Sequence, residues 1–575
     1  MPPDASRPSA AAAHSATRLA AVKRLEMVVA AAARRAGPDS PAGGVPGFAI
    51  GVLQGDDLLL RQGVGLASIE HGVAITPATR FRIASVSKQF TCAAILLLAR
   101  EDKLSLDDDV RSLLPGRLPK LKDLPSGALS LRRLMHMSSG LRDYLTMLRA
   151  GGVELDQALD GAALDALIDR HEGLNFDPNT RFLYCNTNYR LLGQVVEKVS
   201  GFDLATFLQR HFFEPLGMGA TAHTPDPAAI EGGLASAYLQ RPDAQGRMDP
   251  RGLHWARAAQ AIALGGEGGL VSSLDDLLVW ARALRSPPRG LEFLPRLLRE
   301  TLAFEHGAAN VYARGQEVLR YRGLTTIGHS GLWPGYRTEL LLVPEREIAI
   351  VVIANDSGVN PHVLARRLLD ALLWEQLGRP SAAGKPPAPG LYFAGDEAGL
   401  ERGRGGAGLL VEIGGPNPLH GNAPTLTLFS GQAPLRCEPD DGDWWAAEAG
   451  AIVLKIRQTR DGIALCDDAG DEYALRRLER AAALPAALQG AWRCRELDCT
   501  WTFAGAAKGE MAVNVVGPVA AGVTGWKARP IAGPWIEIVA AGRWLPASFT
   551  ARLDGDVLLA HTARARHLRF ERVRG

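Results

Sequence analysis

The sequence predicts an α+β protein, with one large mixed unit of helices and strands followed by two small antiparallel β-barrels. Helical and strand patterns alternate from residue 17 to residue 378. After residue 389 the pattern changes to short strands separated by Gly and Asp turns, and this stretch occurs twice. A chain of 575 residues is also too long for a single hydrophobic core. We therefore expect three structured domains.

A helix and a hairpin are predicted to open the mixed unit. The apolar residues of 17–36 recur near one face of a helix, and a Gly- and Pro-rich stretch ends it. Residues 48–53 are typical of an apolar strand, and the turn at 55–57 leads to a second apolar run at 58–60. The residues before position 17 are small and polar, so we expect 1–16 to form a disordered tail.

A linker and an internal repeat organise the rest of the chain. Strand 348–353 and helix 361–377 close the mixed unit, and residues 379–389 are rich in Ala, Gly and Pro, as linkers are. Two later segments begin and end alike. The first begins with Gly-x-aromatic at 390–392 and ends with an arginine-rich stretch at 473–480, and the second begins at 490–492 and ends at 567–572 in the same way. This repeat predicts two β-barrels, 390–480 and 481–575. The alternative, two modules that share only a strand rhythm, does not explain the matched ends.

Composition and charge exclude several classes of partner. A net charge of +2 leaves no basic or acidic excess for binding nucleic acid or an anionic membrane surface. No run of 18 apolar residues predicts a transmembrane helix, and the N-terminal residues lack the apolar core of a signal peptide. The six cysteines are scattered, without a zinc-binding spacing. We expect a cytoplasmic protein with reduced cysteines that needs no metal or cofactor.

Ser85 and Lys88 form the first candidate catalytic motif, the only Ser-x-x-Lys in the chain. An apolar helical run follows them, and residues three apart lie on one face of a helix, so the two side chains can touch. A lysine kept neutral by desolvation can take the proton of a serine hydroxyl and make it a nucleophile. The alternative is a helix-capping serine beside a surface lysine. The apolar surroundings of Lys88 favour the catalytic interpretation.

Tyr184 and Asn186 form the only Tyr-x-Asn in the chain and are the second candidate motif. A phenol can relay a proton to a leaving group. An amide can hold both a lysine and a substrate carbonyl. Taken alone, the motif is equally compatible with a tyrosine in a turn.

His329 and Gly331 form a His-x-Gly motif placed before a predicted strand. A histidine at the start of a strand can face a site, and a glycine lets a substrate lie close to the backbone. A second His-x-Gly begins at His171, but no strand follows it, and we expect this histidine at the surface.

Ser-x-x-Lys, Tyr-x-Asn and His-x-Gly, in this order, resemble the motifs of the penicillin-recognising serine hydrolases, a family of class C β-lactamases, D,D-carboxypeptidases, esterases and D-aminopeptidases. The resemblance implies a β-lactamase/transpeptidase-like domain, with an antiparallel sheet flanked by helices, that works through an acyl-enzyme. It implies Ser85 as nucleophile, Lys88 as general base and Tyr184 as proton relay. Asn186, His329, Gly331 and Leu332 then bind substrate, with the oxyanion on the N–H groups of Ser85 and Leu332.

Residues 85–92, 139–144 and 184–188 are similar, more closely, to bacterial D-stereospecific aminopeptidases. That resemblance implies two eight-stranded C-terminal barrels and a homodimer. In those enzymes a loop of the last barrel enters the site, and an Asp on it is thought to hold the substrate amine. The matching residues here, 541–547, form a short connection without an acid. We therefore expect a more open site and only modest selectivity for a free amine.

Four functions remain open at this point. Hydrolysis of small peptides or amides with an N-terminal D-residue or Gly comes first, and small-molecule esterase activity second. A D,D-carboxypeptidase or β-lactamase comes third, because a histidine is a weaker and pH-dependent cation for a substrate carboxylate. A non-catalytic binding or sensor protein comes last, since all three motifs are intact. Asp143 is a candidate for amine selectivity, and the alternative is a solvated carboxylate paired with Arg142.

Overall fold

The computed structural model describes residues 10–33, 44–241, 255–377, 385–395, 408–417, 423–428, 435–439, 442–449, 452–466, 472–507, 509–518, 522–540 and 547–574. The helices of the mixed unit are α1 (Ala10–Ala33), α2 (Ser87–Arg100), α3 (Val110–Leu113), α4 (Leu131–Met135), α5 (Tyr144–Ala150), α6 (Gly161–Asp169), α7 (Asn186–Ser200), α8 (Leu204–Leu208), α9 (Glu214–Leu216), α10 (Leu274–Arg285), α11 (Leu294–Leu298), α12 (Pro361–Leu372) and α13 (Trp374–Leu377). Its strands are β1 (Phe48–Gln54), β2 (Asp57–Val64), β3 (Leu66–Ser68), β4 (Val73–Ala74), β5 (Arg80–Arg82), β6 (Ala222–His223), β7 (Tyr238–Gln240), β8 (Trp255–Arg257), β9 (Leu270–Ser273), β10 (Glu317–Tyr321), β11 (Leu324–Trp333), β12 (Tyr336–Val343) and β13 (Ile348–Ala354).

A six-stranded antiparallel sheet forms the centre of the mixed unit, in the order β10-β11-β12-β13-β1-β2. The predicted first and last strands, β1 and β13, are neighbours, with Ile50 opposite Val352. Both strands are buried almost throughout, which explains their continuous apolar sequences. Helices α1 and α12 cover one face of the sheet, and α10 packs against the other, where Gly51 gives it room. The predicted antiparallel sheet flanked by helices is confirmed.

Helix α1 begins earlier than the hydrophobic pattern predicts. It starts at Ala10, so the predicted disordered tail, 1–16, overlaps the helix. The reason is local propensity, because four alanines at 10–13 favour helix even without an apolar stripe. Residues 34–36 of the predicted helix lie outside the described residues.

Two closed eight-stranded barrels follow, as the repeat and the resemblance predict. The strands of the first are β14 (Gly390–Ala394), β15 (Leu409–Asn417), β16 (Ala423–Leu428), β17 (Leu435–Pro439), β18 (Trp445–Ala449), β19 (Ile452–Gln458), β20 (Gly462–Cys466) and β21 (Glu472–Arg477). Those of the second are β22 (Gly490–Cys494), β23 (Cys499–Ala507), β24 (Glu510–Val516), β25 (Val523–Pro530), β26 (Trp535–Ala540), β27 (Ala547–Asp554), β28 (Val557–His561) and β29 (Leu568–Arg572). Each barrel closes by pairing its first strand with its last. The limits assigned to the domains and linker stay predictions.

The second barrel is packed into the mixed unit, whereas the first has a core of its own. Barrel residues such as Trp492 and Trp501 belong to the same continuous apolar core as the helices around α2. Trp501 donates its indole N–H to the carbonyl of Ala150 at 3.0 Å, at the end of α5. Arg142 and Glu496 form an ion pair across the joint at 2.7 Å, with both side chains 5% exposed. The second barrel is therefore fixed beside the segment that carries α5.

Within the described residues, no helix has the length and apolarity needed to cross a membrane. Nor does this part of the chain contain a cluster of three or more His, Cys, Asp or Glu residues suited to a metal ion. None of the six cysteines, all of which lie in the described part of the chain, forms a disulfide bond.

Candidate active site

Ser85 lies in a tight turn, Ala84–Val86, that runs directly into α2. Ala84 has a φ of +47°, a conformation that costs free energy for a residue with a Cβ. The turn packs against β11, where a Cβ on Gly331 would lie 2.2 Å from the carbonyl oxygen of Ile83. Gly331 is therefore needed for close packing of the backbone. The turn leaves Ser85 partly exposed, while most of α2 is buried.

Lys88 is completely buried and directs its ammonium group at Ser85. Its Nζ lies 3.0 Å from Ser85 Oγ, 2.9 Å from Asn186 Oδ1 and 2.5 Å from the carbonyl oxygen of Glu267. Burial lowers the pKa of Lys88 to about 7, although the charges of Glu267 and Asp143 oppose the shift. A large fraction of Lys88 is therefore neutral near pH 7 and able to accept a proton.

Tyr184 completes the group around the serine. Its hydroxyl donates to Ser85 Oγ at 2.7 Å, and its ring lies 5.0 Å from Lys88 Nζ. Burial raises the pKa of Tyr184, so the phenol keeps its proton at neutral pH. The structure therefore brings together all four residues of the first two predicted motifs, Ser85, Lys88, Tyr184 and Asn186. A neutral amine next to a serine hydroxyl, with a phenol as proton donor, suits acyl transfer.

Asp143 fixes the position of Asn186 through hydrogen bonds. One carboxylate oxygen accepts the N–H of Thr146 at 3.0 Å and caps α5. The other accepts the backbone N–H and the side-chain amide of Asn186, at 2.7 and 2.8 Å. The side chain is completely buried, so it is not a solvated carboxylate, and Arg142 pairs with Glu496 instead. The alternative of a solvated carboxylate paired with Arg142 is therefore wrong, whereas a role of Asp143 in amine selectivity stays a prediction, since the residue lines the cavity.

Glu267 is a residue of the site that the sequence analysis did not single out. Its carbonyl oxygen holds Lys88, and its Oε1 accepts the hydroxyl of Tyr144 at 2.6 Å. Oε2 is buried and has no hydrogen-bond partner among the described residues. The sequence feature that could have identified Glu267 is its position between two pairs of glycines, at 265–269. A Cβ on Gly266 would lie 2.7 Å from the carbonyl oxygen of Tyr189, so this segment needs glycine to pass close to α7.

His329 lies behind the catalytic group and does not line the cavity. Its Nε2 is 2.9 Å from the hydroxyl of Tyr312, and its Nδ1 is 2.6 Å from the carbonyl oxygen of Ser330. Burial lowers the pKa of His329 to about 3, so the ring is neutral at physiological pH. The motif does not stand at a strand start as expected, because β11 already begins at Leu324. Side chains alternate between the two faces of a strand, and His329, in the middle of β11, lies on the face that points to the interior.

Leu332 follows the motif and lines the mouth of the site, with 47% of its surface exposed. Trp333 and Tyr336 flank a two-residue turn, so they form a hydrogen-bonded pair of the β11–β12 ladder. Pairs alternate along an antiparallel ladder, so the N–H of Leu332 points away from β12. Strand β10 pairs with β11 only as far as Gly328. At Leu332, the edge of β11 that faces away from β12 is therefore not covered by β10.

A cavity of about 200 Å³ opens at Ser85, and its wall includes a residue of the second barrel. Arg564, in the connection between β28 and β29, lines this cavity together with Tyr184 and Leu332. Its guanidinium carbon lies 4.5 Å from the centre of the Tyr184 ring. The short connection 541–547, which matches the site-entering loop of the D-aminopeptidases, lies outside the described residues up to 546, so the more open site expected from it stays a prediction. No local signal in the sequence distinguishes Arg564 from the other arginines of the barrel.

His171, expected at the surface, is buried. Its ring nitrogens lie 2.7 Å and 3.0 Å from the carbonyl oxygens of Ile168 and Arg142. The ring fills the interior behind α6, and burial lowers its pKa to about 4. The His-x-Gly at this position is therefore a packing feature.

The fold and this site define the class of the protein as a serine hydrolase. The chain belongs to the beta-lactamase family, whose model matches residues 26–373. A D-aminopeptidase of Gluconobacter oxydans is 29% identical over 461 residues, covering 79% of this chain and 80% of that protein. A D-aminopeptidase of Brucella canis is 28% identical over 399 residues, covering 66% and 72%. The octameric penicillin-binding protein homologue from Pyrococcus abyssi is similar in fold, with a TM-score of 0.52, 18% identity, and coverage of 95% and 99%.

Proposed function

We propose that this protein is a D-aminopeptidase-like hydrolase of small peptides and amides with an N-terminal D-residue or glycine. The observation that carries the proposal is the contact of Ser85 Oγ with a buried lysine whose pKa is about 7. The similarity to D-aminopeptidases over most of the chain supports the substrate class. A homodimer, which the sequence resemblance implies, and the cytoplasmic location expected from the scattered cysteines and the N-terminal sequence are part of the same proposal.

The proposed reaction has two halves, and both use the same residues. Lys88 takes the proton of Ser85 as Oγ attacks the carbonyl carbon, and the N–H groups of Ser85 and Leu332 hold the oxyanion. Tyr184 passes a proton to the leaving nitrogen as the C–N bond breaks and regains one from the protonated Lys88, which releases the amine and leaves an ester on Ser85. Water then attacks the ester and gives a proton to the neutral Lys88, and this proton returns to Ser85 Oγ as the acid leaves.

Esterase activity on small substrates is the second candidate, because the same nucleophile cleaves esters with better leaving groups. A β-lactamase or D,D-carboxypeptidase that holds a carboxylate through the third motif is disfavoured by the neutral His329 behind the cavity. Selectivity for a free amine should be modest, because both acids that line the cavity are buried, Asp143 with two oxygens and Glu267 with one oxygen hydrogen-bonded to protein groups. We expect kcat/KM for a D-alanyl amide to exceed that for its N-acetyl form by less than about 30-fold, the lower limit for losing a buried charged contact.

The test is a turnover screen of D-Ala and L-Ala p-nitroanilides beside p-nitrophenyl esters. We expect the D-Ala compound to be cleaved, and Ser85→Ala to lose activity by many orders of magnitude, roughly 10⁶-fold in a comparable hydrolase. A fluorophosphonate probe should label the wild-type protein and not Ser85→Ala. Ser112→Ala, which removes an exposed hydroxyl, is the control and should be labelled normally. Labelling of Ser85→Ala would show that the nucleophile is another residue, and absence of any labelling would support a non-catalytic protein.

A further inference from the structure

We infer that Arg564 binds a carboxylate carried by the leaving group of the substrate. The protein would then favour free peptides, whose leaving residue carries a carboxylate, over neutral amides. This inference rests on the proposed function, because it assigns the leaving-group side of the same site.

The connection that carries Arg564 is held rigidly, so the side chain is presented to the cavity in a fixed place. Thr562 closes a tight turn on Ala565, with bonds of 2.7 to 2.9 Å in both directions. The carbonyl oxygen of Arg564 accepts the N–H of Asp143 at 3.0 Å and the side-chain amide of Asn175 at 3.2 Å. Asn175 also accepts the N–H of the residue at 566, at 2.8 Å. The barrel connection is thus bonded to the same segment that positions Asn186.

The position of the guanidinium identifies the side of the cavity that it serves. It lies over the ring of Tyr184, whose hydroxyl is 2.7 Å from Ser85 Oγ. In the proposed reaction Tyr184 delivers the proton to the leaving nitrogen, so groups attached to that nitrogen pass next to this ring. A carboxylate one or two bonds from the nitrogen comes within reach of Arg564.

The charge of Arg564 is available for a ligand. Among the described residues, no side-chain hydrogen bond or ion pair occupies its guanidinium, which lies in a partly exposed position. The acids of the cavity wall have other partners: Asp143 binds Asn186, and Glu267 binds Tyr144. A guanidinium binds a carboxylate through two parallel hydrogen bonds, so Arg564 offers both charge and geometry. The neutral His329 supplies neither.

The experiment compares two substrates that differ only at the leaving group. D-Alanyl-glycine carries the carboxylate, and D-alanyl-glycinamide does not. We expect wild-type kcat/KM to favour D-alanyl-glycine, and Arg564→Gln to reduce this ratio at least about 30-fold. The ratio is the readout because Arg564 also lowers the pKa of Lys88, and that effect changes both substrates alike. Arg564→Lys should retain part of the preference, since it keeps the charge and loses the fork.

Arg569→Gln is the matched control, because Arg569 is an exposed arginine of the adjoining strand β29. It should leave the ratio unchanged. An equal loss on both substrates in Arg564→Gln, or a wild-type enzyme without preference, would overturn the inference.

A pair of aryl esters separates this outcome from failure of the proposed function. If p-nitrophenyl acetate is cleaved and no D-alanyl compound is, the proposed substrate class is wrong. The inference is then decided by 3-carboxyphenyl acetate against phenyl acetate, where Arg564→Gln must lower only the carboxylated ester. If Arg564→Gln did not change the ratio of the rates on these two esters from its wild-type value, the inference would be overturned.

Discussion

The amine of Lys88 is buried and lies within hydrogen-bond distance of three acceptors. Two of them, Asn186 Oδ1 and the carbonyl oxygen of Glu267, can take the two N–H bonds of a neutral amine. The remaining lone pair then faces Ser85 Oγ. Protonation of Lys88 fills this lone pair and removes the base. In the proposed reaction, the protonation state of Lys88 therefore controls the activation of Ser85.

The pH dependence of activity should follow Lys88. Its pKa is lowered to about 7, and its neutral form is the base, so kcat/KM should rise as the pH increases through about 7 and then level off. Lys88→Arg should be as inactive as Lys88→Ala, because arginine does not lose its proton in proteins. The measurement is kcat/KM on one ester from pH 5 to pH 9. Lys103→Arg, at an exposed position, is the control. An active Lys88→Arg would mean that Lys88 acts only as a fixed charge.

Ser85 and Lys88 can be paired from the sequence because they lie one helical turn apart, whereas Tyr184 and Asn186 are found only through the order of the family motifs. Glu267 and Arg564 come from distant segments, so only the folded chain reveals them as neighbours of Lys88. His329 has the right residue type and order, but its orientation depends on where β11 begins. A two-residue alternation decides whether a strand side chain faces a cavity or the interior, and the motif alone does not contain that information.

At the scale of elements, the site forms where the first turns of α5 and α7 meet. Asp143 caps α5 and at the same time binds both the backbone and the side-chain amide of Asn186, the first residue of α7. One carboxylate therefore sets the relative position of two helices and the orientation of Asn186. Asn186 in turn holds Lys88, so the cap is coupled to the base.

Asp143→Asn should impair both stability and catalysis. The new amide can replace only part of the contacts, because its NH₂ group would face the N–H groups of Asn186 or Thr146. Loss of hydrogen bonds to a charged group costs about 1.5–3 kcal/mol of unfolding free energy. Loss of the negative charge should also lower the pKa of Lys88, so the rise in kcat/KM should move to lower pH. Chemical denaturation and the pH profile of kcat/KM test the two effects.

Asp203→Asn provides the matched control for this prediction. Asp203 caps α8 through the N–H of Thr206, at an exposed position outside the cavity that opens at Ser85. Asparagine caps helices about as well as aspartate, so this variant should keep wild-type stability and the wild-type pH profile. If Asp143→Asn also behaved like wild type, the coupling between the cap and Lys88 would be wrong.

Elements with strong local signals were predictable, and elements set by tertiary packing were not. The repeat revealed both barrels because each carries regular strand spacing with Gly and Asp turns. The start of α1 was missed because the alanines before residue 17 form helix without an apolar stripe. The packing of the second barrel against α5 left no trace in either local sequence, since Trp501 and Ala150 are 351 residues apart.

At the scale of the whole molecule, the second barrel contributes to the cavity of the candidate active site. Its core is continuous with that of the mixed unit, and its β28–β29 connection carries Arg564 into the cavity. Arg142 lies at the centre of this joint, with Nη1 bonded to Glu496 and to the carbonyl oxygen of Gly173. Its Nε donates to the carbonyl oxygen of Arg566 at 2.8 Å. The hydrogen bond from Arg142 therefore holds the β28–β29 connection two residues from Arg564, the cation that lines the cavity.

Glu496→Gln should loosen this joint and weaken the preference for a carboxylated leaving group. Removal of one partner leaves the charge of Arg142 buried and unpaired, a change that costs about 3–5 kcal/mol in comparable pairs. The melting temperature should fall, and the kcat/KM ratio of D-alanyl-glycine to D-alanyl-glycinamide should fall with it, because Arg564 is no longer held in place. Fluorophosphonate labelling of Ser85 should persist, since Lys88 and Tyr184 belong to the mixed unit.

Glu537→Gln is the matched control, because Glu537 is a buried acid of the same barrel that pairs with the partly exposed Arg480 at 2.6 Å, outside the cavity that opens at Ser85. It should lower the melting temperature and leave the substrate ratio unchanged. A Glu496→Gln variant with the wild-type ratio would show that Arg564 keeps its place without the Arg142 pair.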